Sequence, residues 1–361
     1  MWLAELRLRD FRNYASLDVA FGEGVTILQG PNAQGKSNLL ESIYTVAMGR
    51  SPRAGTDAEL VRFGQERAYA RVAVQGVRSH TLELAFDRVT GEKRIKVNGI
   101  VAQRAQLLGR MAVVLAGPLD DEVIRGAPGY RRRVLDAALS QVSPSYFFAL
   151  TRYVRVVRQR NRLLREAVSA SELVPWDEQL VELGAALGER RRRFVEALAP
   201  RARARHARIA GGSEELDIAY ICSAGEGEER AALASALTAR RGEELRRGTT
   251  LVGPHRDDLR LAVNGIDLRT FGSRGQQHTA ALSLRLAEAE MLREDLGEWP
   301  VLLLDDVLAD LDRTRQAFLL DEMAGPQVLL THTGAPPDGG APVRLLSVRA
   351  GMLVEDADVR A

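Results

Sequence analysis

The chain has 361 residues, of which 45% are hydrophobic and 27% are charged, and its formal net charge is +2 at pH 7. These values are typical of a soluble globular protein with two or three hydrophobic cores. The single cysteine, Cys222, excludes an internal disulfide and a thiolate metal cluster. Glu5 and Arg7 interrupt the apolar start of the chain, and no apolar run reaches the length of a membrane span. We therefore expect a cytoplasmic protein without a signal peptide or a membrane partner.

The first part of the chain, residues 1–119, is rich in predicted strands. Apolar residues predict an edge strand at 3–8 and further strands at 16–21, 25–28, 67–77, 81–87 and 111–115. A hairpin is predicted over residues 94–100, with Asn98-Gly99 as its turn. We expect these strands to form the first lobe of an α/β domain.

Residues 30–37, with the sequence GPNAQGKS, match the G-x-x-x-x-G-K-[ST] phosphate-binding loop. The loop follows the predicted strand 25–28 and precedes an apolar-periodic helix, so the helix N-terminus points at the anion. An ordinary glycine-rich turn is the alternative, but the chain has only three lysines and one of them occupies the required position. In this motif the backbone surrounds the phosphates, the lysine reaches the β- and γ-phosphates, and the serine holds Mg²⁺. The predicted nucleotide ligands here are Gly30, Asn32, Gly35, Lys36, Ser37 and Asn38, with Ser37 also a metal ligand.

Residues 120–247 change to long helices and are predicted to form a basic helical arm. Between Arg125 and Arg165 there are ten arginines and one acid, Asp136, which indicates a nucleic-acid partner. Residues 152–165 are amphipathic and place Arg155, Arg158, Arg162 and Arg165 within an arc of about 80°. A second basic helix is predicted from 176 to 208, and residues 217–222 are a possible strand.

Residues 248–361 are predicted to form a second ATPase lobe. Strands are expected at 249–252, 301–304, 327–331 and 343–348, and a hairpin at 259–268 turns at Asn264-Gly265. A long helix is predicted to follow Ser273 and to run to Arg293. Together with the first lobe, these elements predict an α/β fold.

The aliphatic strand 301–304 is followed by two carboxylates, as in a Walker B strand. A carboxylate at the end of such a strand can hold Mg²⁺, and the next residue can orient the attacking water. We assign Asp305 to the metal and Asp306 to water activation. Taken alone, the pattern also fits a buried strand with a capping aspartate, but the phosphate-binding loop favours the catalytic interpretation.

Residues 273–277, SRGQQ, resemble the signature motif of ABC-type ATPases. A serine and free backbone N–H groups at a helix N-terminus can bind a phosphate, although an N-capping serine is the simpler alternative. In that superfamily the motif contacts the γ-phosphate held by a second subunit, which implicates Ser273, Gly275 and Gln276. Residues 309–312 resemble the D-loop, and His332 resembles the switch histidine, although a lone histidine is usually structural.

The combination of residues 11–14 (FRNY), the phosphate-binding loop, residues 128–136, residues 253–259 (GPHRDDL) and the signature resembles the RecF family over nearly the whole chain. This resemblance implies an ABC-type ATPase related to SMC proteins, with two ATPase lobes and a short helical arm. It also implies ATP-dependent homodimerisation on duplex, gapped or junction DNA, weak DNA-stimulated ATPase activity, and partnership with RecR and RecO in loading RecA. Roles in DNA replication and the SOS response follow from the same resemblance. We add Arg12 and Asn13 to the nucleotide ligands, and we assign DNA contacts to Arg131, Arg132, Arg155, Arg158 and Arg162.

Three departures from the family pattern stand out. Arg274 replaces the usual glutamine of the signature, residues 116–120 contain no Q-loop glutamine, and Asp306 is one methylene shorter than the glutamate of many ABC ATPases. The shorter side chain suggests slow turnover, which suits a switch. Two rival functions share part of the pattern: the nucleotide-binding subunit of a membrane transporter, and an ATPase with a fused nuclease. The basic arm disfavours the first, and the lack of a second acidic cluster disfavours the other.

Overall fold

The computed structural model describes residues 1–166, 169–308, 316, 319, 323, 325–334 and 343–355. The chain divides into two compact units. The first contains residues 1–120, 208–211 and 278–361, and the second contains residues 121–207 and 212–277. None of the helices in the described ranges is long and apolar enough to cross a membrane.

The first unit contains an antiparallel sheet with the strand order β2-β1-β4-β5-β6-β7. Its strands are β1 (Trp2–Phe11), β2 (Tyr14–Ala20), β4 (Arg67–Gln75), β5 (His80–Asp87), β6 (Lys93–Val97) and β7 (Ile100–Val101). Strand β4 is buried at alternate residues, as expected for a sheet with a single core face, and β1 buries Leu6 and Leu8 in the same way after a register shift between Leu3 and Glu5. The predicted turn between β6 and β7 is confirmed, because Asn98 and Gly99 both have positive φ angles, of 52° and 79°.

The same unit contains a second, mostly parallel sheet with the order β15-β14-β3-β13-β12-β8. Its strands are β3 (Val25–Gln29), β8 (Val113–Ala116), β12 (Val301–Asp305), β13 (Val328–His332), β14 (Val343–Arg349) and β15 (Met352–Glu355). The central strands β3, β12 and β13 are aliphatic and buried, which is typical of parallel strands covered on both faces. Because β3, β12 and β13 run parallel, their carboxyl ends meet at one edge of the sheet.

Within residues 1–119, which belong to the first unit, the helices are α1 (Lys36–Met48), a 3-10 helix (Asp57–Leu60) and α2 (Arg104–Leu107). Helix α1 begins directly after the phosphate-binding loop and buries Leu39, Leu40 and Ile43. This burial fixes the helix N-terminus at the edge of the parallel sheet.

The second unit combines helices with a three-stranded antiparallel sheet of order β11-β10-β9. Its strands are β9 (Leu216–Ile221), β10 (Asp258–Val263) and β11 (Ile266–Asp267), and its helices are α4 (Pro128–Val142), α5 (Pro144–Arg165), α7 (Glu229–Arg247) and α8 (Leu268–Phe271). Three helices include residues of both units: α3 (Asp120–Ile124), α6 (Ala170–Ile209) and α9 (Arg274–Leu296).

Three expectations differ from the structure. The strand predicted at residues 3–8 is not an edge strand, because β1 pairs with both β2 and β4. Residues 249–252 are not a strand, since side chains satisfy their backbone: the Thr250 N–H donates to Asn161 and the Leu251 N–H to Glu244. Residues 248–277, which we placed in the second ATPase lobe, cluster with the helical unit because β10 pairs along its length with β9.

Candidate nucleotide-binding site

The phosphate-binding loop lies between β3 and α1, as predicted. Its glycines are required by close approach: a Cβ on Gly30 would lie 2.4 Å from the carbonyl oxygen of Val348, and one on Gly35 would lie 2.6 Å from Nδ2 of Asn13. Gly35 has a φ angle of 118° and caps the N-terminus of α1. The Tyr14 hydroxyl of β2 donates to the Gly35 carbonyl at 2.9 Å, which anchors the loop to that strand. The loop is thus held in shape by the turn between β1 and β2, by Tyr14 of β2 and by β14.

Lys36 points back into the loop that precedes it. Its ammonium donates to the carbonyls of Gly30 and Pro31, and the side chain is nearly buried. Burial lowers the pKa of Lys36, while the carboxylates of Asp306 and Asp305 oppose that shift. The ammonium therefore lies inside the loop. A bound phosphate would replace the two carbonyls as its hydrogen-bond acceptor.

Ser37, Asp305 and Thr331 form a hydrogen-bonded group at the carboxyl ends of β12 and β13. Ser37 Oγ and Thr331 Oγ1 donate to Asp305 Oδ1 at 2.8 Å and 2.9 Å. Thr331 in turn accepts from the Asp306 N–H at 2.8 Å, so the two aspartates share one threonine. Thr331 is fully buried and was not among the predicted site residues; its position after three aliphatic residues of β13 was the available signal.

The oxygens of Ser37 and Asp305 suit Mg²⁺. They are hard donors, and their 2.8 Å separation is close to the about 2.9 Å expected between adjacent ligands of an octahedral ion with bonds of about 2.0–2.1 Å. Asp306 has a φ angle of 56°, a conformation that aspartate tolerates better than most residues, and this turns the chain sharply at the end of β12. The metal assignment of Ser37 and Asp305 therefore fits the donor set in the structure.

These residues line an open pocket of about 270 Å³ at the edge of the parallel sheet. Its described lining residues are Asn32, Ala33, Gly35, Lys36, Ser37, Asn38, Arg53, Asp305, Asp306, Thr331 and Thr333. The pocket thus brings together the loop, the Walker B carboxylates and one arginine that the sequence analysis did not single out.

That arginine belongs to a cluster around the buried carboxylate of Glu41. Arg12 donates to both oxygens of Glu41 at 3.0 Å and 2.8 Å, and Arg53 donates to one at 2.6 Å. Ser51 adds a further hydrogen bond at 2.6 Å. Burial favours the protonated form of Glu41, but the hydrogen bonds from Arg12 and Ser51 and the charge of Arg53 outweigh it and lower its pKa. Glu41 therefore orients two guanidinium groups beside the nucleotide pocket.

Asn13 and Asn38 brace the loop from the side. Asn13 donates to the Gln34 carbonyl at 3.0 Å and accepts from Asn38 at 2.8 Å. Arg53 also donates to the Asn38 side chain at 3.0 Å. Asn13 thus supports the loop, and Asn38 joins that support to Arg53.

His332 ends β13, next to the strand that leads into the phosphate-binding loop. Its carbonyl accepts from the Gly30 N–H at 3.3 Å, so the backbone of the predicted switch residue contacts the first glycine of the loop. The predicted D-loop, residues 309–312, lies outside the described residues.

The segment at the Q-loop position is held by Asp120. The Asp120 carboxylate accepts from the Gly117 N–H at 2.9 Å and from Arg285 of helix α9 at 2.7 Å and 2.9 Å. Arg285 also pairs with Glu288 at 2.8 Å. A Cβ on Gly117 would lie 2.8 Å from Cβ and from the carbonyl oxygen of Asp305. A buried ion-pair network thus holds this segment in place, and Gly117 lies directly against Asp305.

The signature residues lie in the second unit, whereas the phosphate-binding loop lies in the first. Ser273 and Gln276 form a reciprocal capping box: Oγ of Ser273 accepts from the Gln276 N–H at 3.2 Å, and the Gln276 side chain accepts from the Ser273 N–H at 3.0 Å. Gln276 also donates to Glu214 at 3.1 Å. Ser273 and Arg274 are exposed, and Gly275 is half-buried. Ser273 therefore acts as a helix N-cap, as the simpler alternative predicted. Its side chain is also exposed to solvent.

The predicted DNA contacts divide into two groups. Arg155, Arg158 and Arg162 are exposed on α5, as a surface contact requires. Arg131 is only 2% exposed, and it donates to Asp258 at 2.6 Å and 2.9 Å and to three carbonyls. Arg132 is half-buried and donates to the Asp257 carbonyl at 2.6 Å. The assignment of Arg131 to DNA is therefore wrong. Its buried guanidinium pairs with Asp258 and links α4 to β10.

Comparison with known proteins agrees with this architecture over nearly the full length. A profile of the family described as "RecF/RecN/SMC N terminal domain" matches residues 2–327. The chain is 44% identical to the DNA replication and repair protein RecF of Symbiobacterium thermophilum, with 99% of each chain aligned. It is 41% identical to the RecF of Geobacillus kaustophilus, with 89% of each chain aligned.

Solved structures give the same result. One described as "Structure of the recombination mediator protein RecF-ATPrS in RecFOR pathway" matches with a TM-score of 0.90 and 37% identity, covering 99% of this chain and 98% of the other. An SMC head bound to the C-winged helix domain of ScpA matches with a TM-score of 0.59 at 16% identity, covering 98% and 96%. The second likeness concerns the fold alone. Together they confirm the predicted α/β ABC-type ATPase fold.

Proposed function

The chain belongs to the RecF family of DNA replication and repair proteins, and we propose that it acts as an ATP-gated, DNA-binding dimer in recombinational repair. The observation that carries this proposal is the group formed by Lys36, Ser37, Asp305 and Thr331 at one edge of the parallel sheet. A RecF structure with ATP in its description matches the chain at a TM-score of 0.91, which supports ATP as the nucleotide.

Each residue of the pocket has a distinct task in this proposal. The loop backbone and Lys36 bind the phosphates, while Ser37 and Asp305 hold Mg²⁺. Bound Mg²⁺ would neutralise charge on the phosphates. Thr331 fixes the Asp305 carboxylate and the Asp306 backbone, and Asp306 orients the attacking water. His332 acts beside Asp306 in sensing the γ-phosphate.

We propose that a second copy completes the site. The exposed Ser273, with Gly275 and Gln276, would cover the phosphates held by the other protomer, since the positive end of the helix dipole favours an anion. Arg12 and Asn13 complete the nucleotide site from the same chain. ATP thereby controls dimerisation, and slow turnover through the short Asp306 side chain keeps the dimer assembled. DNA is proposed to stimulate this weak hydrolysis.

We propose that the DNA contacts come from α5. Arg155, Arg158 and Arg162 are exposed along one side of this 22-residue helix. Duplex and gapped DNA are the substrates in this proposal, and RecR and RecO are the protein partners that help to load RecA. The naming of the RecFOR pathway in the description of the matching structure supports these partners.

Sedimentation with and without ATP, in the presence of gapped DNA, tests the proposal. ATP should shift the wild-type chain from monomer to dimer, whereas Lys36→Met should stay monomeric because it cannot hold the phosphates. Ser273→Arg should bind ATP normally and still remain monomeric. A wild-type dimer that is unchanged by nucleotide removal would contradict the switch.

DNA binding has its own test with a matched control. Replacing Arg155, Arg158 and Arg162 by glutamine should lower the slope of log K against log salt by about 2.7, at about 0.9 per phosphate contact. The control replaces three exposed arginines of the first unit, Arg7, Arg67 and Arg94, and so removes the same charge. If both triple variants lose affinity equally, the assignment of α5 is wrong.

The transporter alternative is not favoured, because the alignments to RecF proteins cover almost the entire chain, including the arm. Membrane co-fractionation with a transmembrane partner is the observation that would restore it.

A further inference from the structure

Helix α5 presents a continuous polar and aromatic stripe to solvent. Phe148, Arg152, Arg155, Gln159 and Arg162 are all exposed, and at 100° per residue they fall within an arc of about 80°. We call these five residues the α5 stripe. From Phe148 to Arg162 the stripe is about 21 Å long at 1.5 Å per residue, which corresponds to about six steps of duplex DNA at 3.4 Å per step.

The opposite face of α5 is anchored in the second unit. Its buried residues are Tyr146, Tyr153, Val156, Arg160 and Leu164. Arg160 is fully buried and donates to Asp177, Glu244 and Thr250. Ser143 caps the helix by accepting from the Tyr146 N–H at 3.2 Å. The helix therefore cannot rotate to hide the stripe without breaking these contacts.

Phe148 stands at the N-terminal end of the stripe and is 54% exposed. Its ring packs edge-to-face against Phe147, with centroids 6.2 Å apart and an interplanar angle of 63°. The ring is thus packed on one side by Phe147 and still more than half exposed to solvent. A single exposed phenylalanine is common on protein surfaces, so the argument rests on its alignment with the arginines.

The charges of the stripe are available to an anionic ligand. Within the described residues no carboxylate pairs with Arg152 or Arg155, and the Arg162–Glu166 pair at 2.8 Å is 68% and 48% exposed. Such exposed pairs contribute little and exchange readily. An aromatic ring followed by arginines at helical spacing is the combination that binds single-stranded nucleic acid, with stacking for bases and cations for phosphates.

We propose that Phe148 stacks on an unpaired base where single-stranded DNA meets duplex, while Arg152, Arg155 and Arg162 contact the backbone of the adjoining duplex. This inference rests on the proposed DNA-binding function and adds to it the residue that distinguishes a junction from a plain duplex. Gln159, between Arg155 and Arg162, adds a neutral hydrogen-bonding group to the same surface.

Equilibrium binding of the full-length protein with ATP tests the inference on two DNAs, a blunt duplex and a gapped duplex. The first unpaired nucleotide of the gapped DNA carries 2-aminopurine, whose fluorescence is quenched when it stacks. Phe148→Ala should weaken binding to the gapped DNA by roughly 5- to 150-fold, the effect of losing one stacked base. It should abolish the added quenching and leave blunt-duplex affinity and the salt slope unchanged. Phe148→Tyr should restore both the affinity and the quenching.

Phe63→Ala is the matched control, since Phe63 is 96% exposed and lies in the first unit. This variant should change the affinity for neither DNA. Equal losses on both DNAs, or wild-type quenching in Phe148→Ala, would overturn the stacking role. If Phe148→Ala loses ATP-dependent dimerisation but still binds the gapped DNA normally, Phe148 belongs to a protein interface. That result would also overturn the stacking role. If the wild type binds neither DNA, the proposed function itself fails, and the inference fails with it.

Discussion

Arg131 is a buried, structural arginine in a region whose exposed arginines we propose to contact DNA. Its guanidinium donates to both oxygens of Asp258 and to the carbonyls of Val123, Ile124 and Gly126. With the side chain 2% exposed, Arg131→Ala removes a buried cation and all of its hydrogen bonds to these acceptors, and leaves Asp258 with the Leu259 N–H as a remaining donor. We therefore expect a loss of stability without a specific loss of DNA contacts.

The expected magnitude follows from the geometry. Breaking a buried ion pair by removing one partner costs about 3–5 kcal/mol. The Asp258 side chain is 28% exposed, so water can solvate part of the orphaned carboxylate, and the lower end of the range, about 3 kcal/mol, applies. At about 2–4 °C per kcal/mol for a unit of this size, the melting temperature should fall by roughly 6–12 °C.

Calorimetry combined with DNA titration at several salt concentrations checks this expectation. Arg133→Ala is the matched control, because Arg133 is exposed on the same helix and lies over the Tyr130 ring at 4.9 Å, a contact worth about 0.5–1 kcal/mol. Well below its melting temperature, Arg131→Ala should retain the wild-type salt slope. A variant that melts like the wild type but shows a lower slope would refute the structural role.

Three further predictions follow from the site and the buried network of the second unit. Gly117→Ala places a Cβ 2.8 Å from Asp305, and the displaced carboxylate should lower the ATPase rate by about 100-fold; a normal rate at every Mg²⁺ concentration would contradict this. Glu41→Gln should weaken ATP binding, measured by calorimetric titration, because Arg12 and Arg53 lose their shared anion, whereas Glu41→Asp should recover part of it. Burial lowers the pKa of His255 to about 4 from the ordinary 6.5, so the unfolded chain takes up the proton first as the pH falls. Stability should therefore be complete above about pH 6.5 and fall by at most roughly 3 kcal/mol towards pH 4; His255→Gln should flatten this part of the unfolding profile, and an unchanged profile would show that another group is responsible.

The nucleotide site was largely predictable from the sequence because its motifs are local. The phosphate-binding loop requires glycine at two places where a Cβ would clash, and the Walker B carboxylates follow a buried strand directly. Thr331, Glu41 and Arg53 escaped prediction because each acts through a partner that is distant in sequence or on another element. Thr331, for example, is read as one more buried strand residue until its contact with Asp305 is seen.

The arginines show the opposite case. Counting the charges of a region does not predict which of them are exposed and which are buried in ion pairs. The ten arginines of residues 125–165 include Arg131 and Arg160, whose side chains are buried in ion pairs with Asp258, Asp177 and Glu244. Two of these carboxylates lie outside the counted window by more than 70 residues. Helical periodicity identified the exposed arginines of α5 correctly, because the buried face of a helix is readable from spacing.

The charges around the pocket give a physical reason for nucleotide and metal to bind together under the proposed function. Three cations, Lys36, Arg12 and Arg53, lie close to three carboxylates, Glu41, Asp305 and Asp306. Because these charges offset one another, the three cations leave little net positive charge to balance the negative charge of a nucleotide bound beside Asp305 and Asp306. A divalent cation held by Ser37 and Asp305, as proposed above, would supply the missing positive charge. The carboxylate of Glu41 accepts from Arg12 and Arg53 and does not contact Ser37 or Asp305 in the described hydrogen bonds. It would thus hold the two guanidinium groups beside the phosphates. Under the proposed function, the electrostatics of the pocket and its ligand atoms would therefore both favour the magnesium complex of the nucleotide.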